Sequence, residues 1–89
     1  MKKLNVSGNA TSQRVFAGSG KIIKIQIWKD VDGGTIDLRD SNGDNIYPQA
    51  ITDYAGTINL GDQVENGCFI TTASFSGGNL TIFYDQYEG

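Results

Sequence analysis

Ten acidic side chains, a single thiol and no histidine set the limits of the chemistry open to this 89-residue chain. Without histidine, every Ser-His, Cys-His and histidine-ligated metal arrangement is excluded. Cys68 therefore lacks its usual activating base, and in a strand-like setting it reads as a buried, inert thiol. Asp30/Asp32 and Asp40/Asp44 are paired carboxylates of the kind glycosidases use. Both pairs fall in Gly-rich turns, where Asp is favoured for its hydrogen bonds to nearby backbone. Asp40, Asn42 and Asp44 also match the first three ligands of a calcium loop. The rest of that loop is missing: Asn45 stands where glycine is needed, and Ile51 where a bidentate glutamate would close the site. An ordinary turn is the simpler reading, with a weak metal site as the alternative. No glycine-rich phosphate loop leads into a helix, because no segment reads as one. The expectation is a non-enzymatic protein with no cofactor.

The elements that would position any site are β-strands. Lys2–Val6, Gln13–Ala17, Lys21–Lys29, Thr35–Arg39, Ile46–Ile51, Thr57–Leu60, Cys68–Phe75 and Asn79–Tyr84 are rich in β-branched and aromatic residues. In Lys21–Lys29, Ile23, Ile25 and Ile27 alternate onto an inward face, with Ile22, Lys24, Gln26 and Trp28 opposite. Turn signals recur about every ten residues. Asn42-Gly43 predicts a two-residue hairpin, and Ser76-Gly77-Gly78 predicts a second one joining the last two strands. Pro48 confines Ile46–Ile51 to a sheet edge or an irregular excursion. The fold expected over residues 1–89 is one all-β domain, a small β-sandwich or jelly-roll-like structure of about seven or eight antiparallel strands.

Charge is divided along the chain. Residues 1–29 carry Lys2, Lys3, Arg14, Lys21, Lys24 and Lys29 and no acid; residues 30–89 carry all ten acids and only Arg39. The halves, +6 and −9, either neutralise each other across strands or leave a polarised molecule with different partners on its two faces. A pI near 4.5 argues against nucleic acid, although Phe16 and Trp28 beside the basic residues would make a stacking platform. The amino-terminal stretch lacks the apolar core of a signal peptide, and no run is apolar enough to span a membrane.

Large apolar groups stand on both sides of the strands. Trp28 opposes the isoleucine stripe, Phe83 opposes Leu80, Ile82 and Tyr84, and Phe69 and Phe75 oppose Cys68 and Ile70. One face is core, and the other is covered by loops or by neighbouring subunits. The candidate interface residues are Trp28, Phe83, Lys21, Lys24, Lys29, Phe69 and Phe75. A glycan-binding reading would add Tyr47 and Tyr54 to Trp28 as stacking residues.

One family resemblance rests on the last strands. Asn66, Gly67, Phe69, Ile70, Gly77, Gly78 and the run Asn79-Leu80-Thr81-Ile82-Phe83-Tyr84, preceded by Gly56-Thr57-Ile58-Asn59-Leu60, resemble the C-terminal strands of small all-β virion proteins of tailed bacteriophages. The resemblance covers about a third of the chain and is a pattern of strand residues. It implies a structural role in the virion, as a capsid decoration or cement protein that binds the major capsid protein lattice and stabilises it. It further implies a homo-oligomer, frequently a trimer, made in the host cytoplasm. A tail- or fibre-associated module, or a carbohydrate-binding sandwich, is the alternative.

Overall fold

A computed structural model describes residues 1–29, 31–46, 51–52 and 56–87. Tyr47, Pro48 and Tyr54, and with them two of the candidate glycan-stacking residues, lie outside the described residues, as does Asp30. The chain is all-β, and every strand pair is antiparallel. Among the described residues eight strands run in order: β1 (Lys2–Ser7), β2 (Ala10–Phe16), β3 (Gly20–Lys29), β4 (Thr35–Arg39), β5 (Ile51–Thr52), β6 (Gly56–Val64), β7 (Cys68–Ala73) and β8 (Asn79–Gln86). They form two four-stranded sheets: sheet A in the order β1-β8-β3-β6 and sheet B in the order β2-β7-β4-β5. The pairings β1·β8, β2·β7, β3·β6 and β4·β5 are nested, which is the winding of a jelly roll.

This winding corrects the expected closing hairpin. β7 and β8 do not pair; Ser74–Gly78 carries the chain from sheet B to sheet A. A glycine turn reports that the chain reverses, and the apolar inner faces decide whether it does so within a sheet or across two. The crossing is held by its neighbours. Gly8 N–H donates to the Gly78 carbonyl at 2.9 Å, Phe75 N–H to Asn9 Oδ1 at 2.8 Å, and Thr72 Oγ1 to the Gly8 carbonyl at 2.7 Å. At the opposite end, Gly67 N–H donates to the Gly18 carbonyl at 2.7 Å, tying the β6–β7 crossing to the β2–β3 crossing.

The Asn42-Gly43 turn is a hairpin, but with a three-residue loop rather than two. Gly43 N–H bonds the Asp40 carbonyl and Asp40 N–H bonds the Asp44 carbonyl, with Gly43 at φ 83° in the left-handed region that glycine enters without strain. The pairing continues through Arg39 and Asn45. The edge of sheet B is β5, which shares only Ile51 with the expected strand Ile46–Ile51; residues 47–50 of that strand lie outside the described residues.

The core is the set of inward side chains of both sheets, Val6, Ile22, Ile25, Ile27, Val64, Leu80 and Ile82 from sheet A and Val15, Phe16, Ile36, Leu38, Cys68 and Ile70 from sheet B, with Phe75 added from the β7–β8 crossing. Bulges shift its alternation. Between Ile22 and Lys24, β3 carries one residue more than β8, so Ile22 is buried and Ile23 only half-buried, reversing the expectation for that pair while Ile25 and Ile27 point in as expected. In β2 a register shift at Val15 puts two consecutive residues, Val15 and Phe16, into the core. Phe16 stacks on Tyr84 with ring centroids 5.5 Å apart and is not available as a surface platform.

Close approach at Gly20 leaves no room for a side chain. An added Cβ there would lie 2.6 Å from the Asp85 carbonyl oxygen and 2.7 Å from the Phe16 ring. Gly20→Ala is expected to destabilise the protein by about 1–3 kcal/mol through overpacking. An alanine at Gly43 meets nothing within 4 Å and suffers only the backbone term, roughly 1 kcal/mol. Urea unfolding of the two variants checks the order.

Candidate functional site

The outer face of sheet A gathers most of the residues singled out from the sequence. Trp28 is 63% exposed, the most exposed aromatic ring among the described residues. Its position is set by a second bulge: Ile27 pairs with Leu80 and Lys29 with Asn79, so Trp28 is the extra residue. Bulges re-aim side chains in this way. The indole is then pinned, its Nε1–H donating to Thr81 Oγ1 at 2.9 Å, while the Thr81 hydroxyl donates to Asn5 Oδ1 at 2.6 Å. Thr81 itself is buried, so the exposed ring is anchored to a side chain that cannot move freely. A Thr57–Gln26 hydrogen bond extends the polar surface toward β6.

Phe83 lies one step further along the same face. Its register partners are Lys3 on β1 and Lys24 on β3, and the Lys24 ammonium stands 4.8 Å from the ring centroid. That distance is within cation–π range. Lys21, opposite Asp85, and Lys29 complete the basic side of β3. The lysines make no ion pair with the later acids among the described residues, where the ion pairs are the Met1 amino group with Asp85 at 3.4 Å and Arg39 with Asp37 at 2.9 Å. Sheet A thus presents a face of one exposed tryptophan, one half-buried phenylalanine and several lysines. Asp40, Asp62 and Glu65 line a shallow depression elsewhere, at the end of the sandwich where β4 and β6 finish.

The other two aromatic candidates part company. Phe75 is buried at 2% exposure, beneath Gly78. Strand alternation places it outward, but Ser74 at φ 52° breaks the alternation and turns the ring into the core, so Phe75 is not an interface residue of this surface. Phe69 is half-buried on the outer face of sheet B, away from Trp28 and Phe83. Its register partners are Arg14 on β2 and Arg39 on β4. Sequence reading missed this row, because 55 and 30 positions separate the arginines from Phe69 and only strand register brings them together.

The acidic turn is internally engaged. Asp40 Oδ1 accepts from the Asn42 and Asp44 amides at 2.9 and 3.0 Å, the hydrogen bonds for which aspartate is favoured in turns. Among the described residues, no three or more acidic or thiol groups converge as a metal cage would require. Cys68 is fully buried, and desolvation pushes its thiol from 9.0 up to about 12.

Two measurements follow from this geometry. Thr81→Val removes the hydroxyl that holds Trp28, at a cost of about 1 kcal/mol. Fluorescence anisotropy of the single tryptophan is expected to fall while the circular dichroism spectrum is retained. The raised Cys68 pKa adds stability that is fully present below pH 9 and is lost as pH rises toward 12, because the unfolded chain releases its thiol proton first. Thermal midpoints across that range are expected to drop less steeply in Cys68→Ala than in the wild type. Compared with known proteins, the chain matches no family model, no curated protein and no solved structure.

Proposed function

We propose that this chain is a non-enzymatic structural protein that docks through the outer face of sheet A onto a larger protein assembly. The assembly implied by the resemblance of its last strands is the major capsid protein lattice of a tailed bacteriophage, where the protein would act as a decoration or cement subunit. The observation that carries the docking reading is Trp28: an exposed tryptophan, pinned by a buried threonine and bordered by lysines. Interface hot spots are enriched in tryptophan near the centre of the patch. Pinning the ring in advance lowers the entropy lost on binding. Lys21, Lys24 and Lys29 favour an acidic partner surface and would speed encounter with it. The jelly roll supplies a rigid support, since the inward side chains of β3 and β8 form the middle of the core.

The test is co-sedimentation with capsid shells assembled from the major capsid protein of the source genome. Wild-type protein is expected to pellet with the shells and to raise their temperature of thermal disruption. Binding is expected to weaken as salt is raised, because exposed charges are screened. Trp28→Ala is expected to weaken binding by about 2 kcal/mol, the hot-spot range, and to lower the stability of the free protein by about 1 kcal/mol through loss of the hydrogen bond to Thr81. Shells that ignore the wild type refute the capsid reading. Shells that bind Trp28→Ala equally well refute the role of Trp28.

A further inference from the structure

The geometry points to a neutral-glycan site on the outer face of sheet B, built around Phe69 and separate from the Trp28 face. Phe69 is on β7, an inner strand of the sheet, and its ring is bracketed by arginines that are its direct register partners on either side. Arg14 holds its guanidinium carbon 6.0 Å from the ring centroid. Arg39 is fixed by two hydrogen bonds, Nε–H to Asp37 Oδ2 at 2.9 Å and an Nη1–H to the Gly43 carbonyl at 2.8 Å.

Two clefts open against this ring. One, of about 290 Å³, is bounded by Ser12, Arg39, Asp40, Ser41, Phe69 and Thr71. The other, of about 360 Å³, is bounded by Arg14, Ser41, Glu65, Asn66 and Phe69. They share Phe69 and Ser41, so they adjoin across that ring. Ser12 is one of two non-glycine residues at positive φ among those described, at 44°. The register slip in β2 imposes that conformation, and Thr71 Oγ1 stabilises it by accepting the Ser12 amide at 3.0 Å. Left-handed non-glycine residues concentrate where a site needs a side chain in an unusual place.

The polar groups select the ligand. Each cleft is lined by a donor-only guanidinium and an acceptor-only carboxylate, Arg39 and Asp40 in one and Arg14 and Glu65 in the other, together with hydroxyl or amide groups. A sugar hydroxyl is both donor and acceptor, and adjacent hydroxyls on a ring meet such a pair with both capacities used. The apolar face of a pyranose packs on an aromatic ring. Polyanions, nucleic acid included, are disfavoured by Asp37, Asp40 and Glu65, which offset both arginines. An apolar peptide would find one aromatic ring among walls of hydroxyl, amide and backbone. The two clefts, adjoining at Phe69, fit two successive sugar residues of a neutral oligosaccharide.

The test is a titration of the isotope-labelled protein, followed by amide ¹⁵N–¹H correlation spectra, with neutral tetrasaccharides of glucose, mannose, galactose and xylose. A tetrasaccharide of hexuronate and a single-stranded oligonucleotide serve as anionic probes. At least one neutral saccharide is expected to shift the amides of Ser41, Phe69 and Thr71. Phe69→Ala is expected to weaken that binding by about tenfold, or about 1.4 kcal/mol, and Asp32→Ala, at the far end of the sandwich, to leave it unchanged. Arg14→Ala, on an edge strand, is expected to weaken binding severalfold and serves if Phe69→Ala does not fold. The inference is overturned if no neutral saccharide moves these amides, if binding survives removal of the Phe69 ring or the Arg14 guanidinium, or if only the anionic probes bind. Because the affected residues lie on sheet B, the outcome is independent of whether the Trp28 face binds capsid shells.

Discussion

The hydrogen bonds between sheet-to-sheet crossings that are distant in sequence hold this molecule in its fold. A sandwich wound from one chain must repeatedly carry backbone from one sheet to the other, and each crossing brings amides and carbonyls to the margin of an apolar core. Here the crossings satisfy one another: Gly8 with Gly78 and Asn9 with Phe75 at one end, Gly67 with Gly18 at the other. An unpaired group at such a margin would forfeit more than a typical hydrogen bond contributes. Thr72 adds a side chain to the arrangement, accepting from the Ala10 amide and donating to the Gly8 carbonyl. These bonds set how β2 and β8 leave their crossings, and thereby which side chains face in.

Strand locations were legible because β-branched runs and turn residues mark them locally. What the sequence did not disclose was pairing. Ser76-Gly77-Gly78 reverses the chain equally well in a hairpin or in a crossing, and only the burial of both inner faces separates the two outcomes. Bulges were the other concealed feature. A single extra residue inverts the alternation beyond it, which is why Ile22 replaces Ile23 in the core and why Val15 and Phe16 both point inward. No residue type announces such a slip in advance.

The surface was legible to a similar degree, for the same reasons. Phe83 faces outward as alternation implies and Trp28 does so at a bulge, and strand register sets Phe83 beside Lys3 and Lys24. Phe16 and Phe75 were misplaced by departures from regular strand geometry. Arg14 and Arg39 were invisible as a pair, since their meeting at Phe69 depends on three strands that are distant in sequence. Charge segregation had a structural counterpart: lysines from the first 29 residues share sheet A, and Asp40, Asp62 and Glu65 gather at one end of the sandwich.

The place of β8 between β1 and β3 bears on how the protein is made. During synthesis β1 and β3 emerge early, yet neither has its shared neighbour until β8 has left the ribosome. Sheet A therefore cannot close before β8 has emerged, and the isoleucines of β3 stay without their β8 cover until then. Nearly all the native pairings link residues distant in sequence, the topology associated with the slower end of two-state folding. A β-rich chain in that condition exposes strand edges that can pair with other copies. The charged β1 strand, with Lys2 and Lys3 at its start, places like charges on such an edge, a known guard against that outcome.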